Sequence, residues 1–127
     1  MVRNDTYCLY NGKEYRFVHN QAGLYEIVTT DKTIIDASFK LYRNEVYTKQ
    51  VKLDDLEEVY SITSLAVYNG DVFQVSRSVG ADIEIYTTDL KLAEDNKMET
   101  FGKSEYIKVV PISDVEMFEE KTLLNIK

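Results

Sequence analysis

The chain has 127 residues, 44% hydrophobic and 29% charged, with one proline and five glycines; that balance buries a core and keeps a solvated surface, which excludes a disordered or low-complexity chain. Its formal net charge is −7, from 22 acidic and 15 basic residues. Residues 1–63 carry eight Lys or Arg against ten Asp or Glu, and residues 64–127 carry seven against twelve, so neither half concentrates the cations that direct nucleic-acid binding requires.

The opening stretch Met1 to Cys8 lacks the apolar core of a signal peptide, and nowhere do eighteen apolar residues run together. One cysteine cannot make an internal disulfide. These features predict a cytoplasmic protein with no membrane partner.

Along the chain, Tyr10-Asn11-Gly12 is the first strong signal, because the two central residues of a type I′ turn both need positive φ. The hairpin it predicts pairs Tyr10 with Lys13 and Cys8 with Tyr15, and gathers Cys8, Tyr10, Tyr15 and Phe17 on one apolar face. Tyr25 and Ile27 alternate with Glu26 in a third strand. Thr29-Thr30-Asp31 ends it, since Asp bonds its own downstream backbone. A fourth strand precedes or includes Glu45 to Val51. Leu53 to Leu56 read as a short helical turn before a last strand.

The same series then begins again. Setting Tyr10 over Tyr68, an offset of 58, gives eight identities in 22 positions, including Glu26 with Glu84, Ile27 with Ile85 and Asp31 with Asp89. After one inserted residue the offset becomes 59, and five of 13 positions match, from Tyr47 with Tyr106 to Glu57 with Glu116. The boundary falls near Ser61 to Ser64, which predicts two units, residues 1–63 and 64–127. In the second, Ala66, Tyr68, Phe73 and Val75 form the apolar face, and Ile112 to Val115 the helical turn. The tail reads two ways. The first copy favours a strand, whereas Ser113 and Glu116 have capping-box spacing and Val115, Phe118 and Thr122 share a helical face. In the helical case Leu123, Leu124 and Ile126 would cover the other copy or another subunit.

Five short strands with an early hairpin and a helical turn before the last resemble the SH3-like small-barrel architecture. The resemblance implies an all-β protein of two tandem five-stranded SH3-like barrels. The polyproline-binding SH3 family uses a tryptophan in its aromatic groove; this chain has no Trp, so that ligand is not carried over.

Candidate chemistry is sparse. Cys8 aligns with Ala66, as a small core site would, and His19 lies at a strand end away from it, so no Cys/His nucleophile is expected. Zinc needs several Cys or His and only one of each exists. Glu94-Asp95-Asn96 and Asp54-Asp55 lack the spacing and central glycine of a calcium loop. Gly102-Lys103-Ser104 echoes the end of a P-loop without its upstream glycine. No catalytic residue, metal or cofactor is predicted.

The binding candidates are the acidic run Asp54, Asp55, Glu57 and Glu58, its echo Asp114 and Glu116, and the tyrosines Tyr60 and Tyr86. Tyrosines beside carboxylates suit a protein-binding face. The expectation is a non-enzymatic interaction module, an adaptor or an inhibitor of immunity type, whose partner is a protein with a basic surface; a homodimer is a further option. The alternatives are a small-molecule binder or enzyme using a cleft between the copies, with Glu26 and Glu84 for acid/base work, and a nucleic-acid mimic, whose field the fifteen interspersed cations would spoil.

Overall fold

Each Asn-Gly pair forces the chain back on itself, and the computed structural model, which describes residues 2–20 and 22–125, is built on the two hairpins that result. Asn11 and Gly12 have φ of 52° and 75°, and Asn69 and Gly70 have 50° and 81°, the double left-handed geometry of a type I′ turn. The register is the expected one. Cys8 faces Tyr15 and Tyr10 faces Lys13 in one hairpin; Ala66 faces Phe73 and Tyr68 faces Asp71 in the other.

The protein is all-β, and its described residues fall into two compact units. The first unit comprises Asp5–Ser61 with residues 121–125; the second comprises residues 2–4 with Ile62–Glu120. The chain passes from one unit to the other between Ser61 and Ile62, and each terminal segment clusters with the unit at the opposite end of the chain. Strand β1 is Asn4–Tyr10, β2 Lys13–His19, β3 Tyr25–Thr29, β4 Lys40–Arg43 and β5 Val46–Val51; β6, Glu58–Tyr68, begins in the first unit and ends in the second. The series resumes with β7 Asp71–Val79, β8 Asp82–Thr87, the helix α1 Leu90–Asp95, β9 Glu99–Gly102, β10 Glu105–Pro111 and β11 Glu116–Leu123.

The hydrogen-bonded order is β4-β5-β3-β2-β1 in the first unit and β9-β10-β8-β7-β6 in the second, with β11 on β6. This corrects the five-stranded barrel. An additional strand, β4 or β9, pairs in a hairpin with β5 or β10, and among the described residues each series remains an open path rather than a closed barrel. The tail is a strand, β11, and the helical option falls. Leu124 packs in the first unit's core and donates its N–H to the Val59 carbonyl at 2.8 Å, Leu123 is exposed, and Ile126 lies outside the described residues.

The identities between copies have visible physical work. Thr29 and Thr87 each accept the N–H of the Asp two residues on, at 3.0 and 3.1 Å. Each aspartate then caps the next element: Asp31 accepts from Thr33 N in a 3₁₀ turn, and Asp89 accepts from Lys91 N and Leu92 N at the start of α1. The inserted residue lies in the stretch that holds α1, which is why the offset grows by one only after it. Ile27 faces Lys49, and Ile85 faces Lys108. Each lysine ammonium sits over the ring of the turn tyrosine, Lys49 at 4.8 Å from the Tyr10 centroid and Lys108 at 5.5 Å from that of Tyr68.

Each unit buries its own core. In the first it is Cys8, Tyr15, Phe17, Ile27, Val51, Leu56 and Val59; in the second, Ala66, Phe73, Val75, Ile83, Ile85 and Val110. The period-2 alternation of each strand leaves the intervening residues on the opposite face.

Candidate functional site

In the first unit those intervening residues make a depression. Tyr15 and Phe17 point into the core, so Arg16 and Val18 point out from β2; Ile27 points in, so Glu26 and Val28 point out from β3. With Asn20, Ala22, Tyr42, Val46 and Thr48 they line an open cavity of about 540 Å3. Three valines supply an apolar floor. Arg16 Nε lies 3.3 Å from Asp5, and the half-buried Glu26 accepts from the Asn20 amide at 2.9 Å.

Tyr42 reaches this depression because β4 is bulged. Leu41 faces Tyr47 and Arg43 faces Val46, so Tyr42 is the extra residue, turned outward and 62% exposed with Arg43 over its ring. At offset 59, Phe101 is the extra residue of β9 and is 63% exposed. Neither edge bulge was legible in the sequence, although both fall between the hairpin's pairing residues.

The second unit treats the equivalent face differently. Between Val75 and Arg77 strand β7 carries a bulge that β2 lacks. It places Arg77 opposite Glu84, whereas Val18 is opposite Glu26. Arg77 donates to the Glu84 carboxylate from Nε at 3.2 Å and Nη2 at 3.0 Å, and Ser76 Oγ donates at 2.7 Å. Where the first unit has Val28 and Val46, the second has Tyr86 and Glu105, joined by a 2.9 Å hydrogen bond. Glu84 is therefore buried although it lies on the face opposite Ile83 and Ile85, and the two aligned glutamates have unlike surroundings.

The eight predicted binding residues divide between the units, five in the first and three in the second. In the first unit, Asp54 and Asp55 are exposed in the Leu53–Asp55 turn, with Asp55 accepting from Lys52 N. Glu57 accepts from Gly12 N at 2.6 Å, tying the turn to the start of β6, and Glu58 pairs with Lys121 at 3.1 Å. Tyr60 is the clear correction: it is 2% exposed because Tyr7 stacks on it, Lys121 lies over its ring and its hydroxyl donates to Glu14. In the second unit, Tyr86 is half-buried with its hydroxyl bonded to Glu105, while Asp114 and Glu116 are exposed.

Other reactive groups are quiet. Cys8 is fully buried, and its thiol is pushed up to about 12, chiefly by desolvation and secondarily by Glu14, so it is not a thiolate near neutrality. His19 stacks on Tyr25 at 4.7 Å. Among the described residues no cluster of three or more His, Cys, Asp or Glu could hold a metal, and no helix is long and apolar enough to cross a membrane.

Glu84 gives a pH prediction. Its carboxyl lies below the ordinary glutamate value, first through the Arg77 hydrogen bond and then through Ser76. A group whose folded-state pKa is lowered stabilises the fold above its unfolded value and loses that stabilisation as pH falls through the folded value. Arg77→Ala is expected to cost about 1–2 kcal/mol at neutral pH, since Ser76 remains and Arg77 is largely exposed. The cost should shrink from about pH 5 downward. Urea midpoints at pH 7 and pH 4 for wild type and variant check this; an equal gap at both contradicts it.

Comparison with known proteins returned no match among curated proteins and none among solved structures. A family model does match, over residues 2–127, and the chain belongs to the family it describes, Uncharacterised conserved protein UCP033725.

Proposed function

We propose that the protein is a non-enzymatic, cytoplasmic protein-interaction module whose docking face is the depression on β2, β3, β5 and β4 of the first unit. The observation that carries the reading is the difference between equivalent faces. The second unit pairs its glutamate with Arg77 and has Tyr86 bonded to Glu105, with a cavity of about 410 Å3 left beside Gln74, Tyr86 and Thr87, while the first has Val18, Val28 and Val46 at the matching positions and Tyr42 in the cavity wall. Concave apolar surface with a few polar groups and a tyrosine at its wall is what an interface anchor requires. The bulge at Tyr42 disturbs the β4 edge, so side chains rather than added backbone pairing carry the contact.

Net charge of −7 favours a basic partner and on-rates that fall with salt. The shared order and register support reading the units as two copies of one SH3-like ancestor extended by the extra hairpin strand, so that one copy is free to diverge toward binding. Glu84, tied to Arg77 and Ser76, serves acid/base chemistry poorly, which weighs against the enzymatic alternative.

Selection of a random displayed peptide library on the wild-type protein tests this. Enriched peptides should be basic, and their affinity should fall by about tenfold or more with Tyr42→Ala, as for a central aromatic anchor. Phe101→Ala should leave it unchanged. No enrichment, or peptides indifferent to Tyr42, would overturn the reading.

A further inference from the structure

The second unit shows what chemistry completes this type of site. Glu84 and Glu26 are equivalent positions on β8 and β3, and in the second unit the carboxylate receives a guanidinium from Arg77, delivered by the β7 bulge. In the first unit β2 runs straight past Glu26. The opposite residue is Val18, the position equivalent to Arg77 is His19 stacked on Tyr25, and the carboxylate is met by the neutral Asn20 amide. We propose that the first-unit depression takes an arginine side chain from a partner polypeptide, whose guanidinium bonds Glu26 as that of Arg77 bonds Glu84. This deepens the docking reading and rests on it for the source of the arginine.

The remaining walls suit that side chain. Val18, Val28 and Val46 offer apolar surface for its methylene stem, and guanidinium groups stack on aromatic rings as Arg43 already does on Tyr42, with its carbon 4.9 Å from the centroid. The charges nearby are Arg16, matched by Asp5, together with Glu26, Arg43 and Lys40, which lies opposite Thr48 across the β4–β5 hairpin. Glu26 is the carboxylate that lines the cavity, and the planar fork of a guanidinium meets a carboxylate with two donors where an ammonium offers a point charge.

The probe is N-acetyl-arginine amide, titrated into the full chain and followed by amide chemical shifts, with the citrulline analogue as a neutral isostere and the lysine analogue as a second cation. Shifts are expected at Val18, Glu26, Val28 and Thr48, with binding about tenfold weaker for citrulline and for Glu26→Gln. Val18→Arg, which sets the chain's own guanidinium opposite Glu26, should abolish binding with the fold intact by melting curve. Equal binding of citrulline, indifference to Glu26→Gln, or shifts elsewhere would overturn the inference. A lysine analogue that binds as tightly as arginine would overturn the guanidinium assignment. Selected peptides that need Tyr42 but neither carry arginine nor respond to Glu26→Gln would leave the docking reading standing and sink this one. Arginine-amide binding with no peptide enriched would sink the docking reading and with it the polypeptide source of the arginine.

Discussion

Phe73→Ala is expected to remove roughly 3–5 kcal/mol from the second unit, the usual cost of truncating a buried phenylalanine. Phe73 is 2% exposed, faces Ala66 across the hairpin, and meets Tyr68 edge-on with centroids 6.3 Å apart. Its cavity would open among Val75, Ile83, Ile85 and Val110, strand residues whose backbones are fixed by ladders and cannot collapse inward. A unit of about sixty residues buries a modest share of its surface and has little stability to spare. Loss of the folded baseline of the second unit near room temperature is therefore expected, read from amide exchange at Ile83 to Ile85. The counterpart Tyr15→Phe removes only a hydroxyl that donates to the Ile34 carbonyl at 2.6 Å, and should cost about 1 kcal/mol. Equal costs would contradict the packing described.

Deleting residues 121–127 should weaken the first unit, although the deletion is at the far end of the chain. Leu124 packs against the Cys8, Ile27 and Val59 core and its N–H bonds the Val59 carbonyl at 2.8 Å. Lys121 pairs with Glu58 and lies 4.1 Å from the centroid of the buried Tyr60 ring. A half-buried leucine, a backbone hydrogen bond and a cation over an aromatic ring together are worth about 2–4 kcal/mol. Amide exchange should accelerate in Tyr25 to Thr29 more than in Asp82 to Thr87. Acceleration confined to Asp82 to Thr87 would mean that the tail belongs to the second unit, as the repeat boundary alone implies.

What was legible in the sequence was what local chemistry decides. Asn-Gly fixed both hairpins and their registers, and the Thr-Thr-Asp triplet marked the ends of β3 and β8. The short turns at Leu53 and Ile112 were also readable, and each closes with a backbone hydrogen bond, from Leu56 N to the Leu53 carbonyl and from Val115 N to the Ile112 carbonyl. Strands β4 and β9 were hidden because Lys40–Arg43 and Glu99–Gly102 each contain one bulged residue, which breaks the alternation that marks a strand. The exchange of terminal segments was hidden because an alignment of two copies assigns each residue to the copy nearest in sequence.

The candidate site was harder still. Its walls come from four strands, and its defining feature is a set of substitutions between copies, Val28 for Tyr86, Val46 for Glu105 and Val18 where a bulge supplies Arg77. Glu26 and Glu84 were visible as a matched pair. The extra residue in β7 that separates their roles was not. Tyr60 and Tyr86 looked alike as tyrosines near carboxylates, yet one is buried and the other is half-buried with its hydroxyl bonded to Glu105.

Whether the outer face of the first unit receives a polypeptide is decided by amide hydrogen exchange of the full chain, with and without a saturating selected peptide. Slowed exchange at Glu26 to Val28 and from Tyr42 to Thr48, with Asp82 to Thr87 unchanged, is expected. Protection confined to the second unit, or to the acidic turn at Asp54 and Asp55, would show that the peptide docks elsewhere.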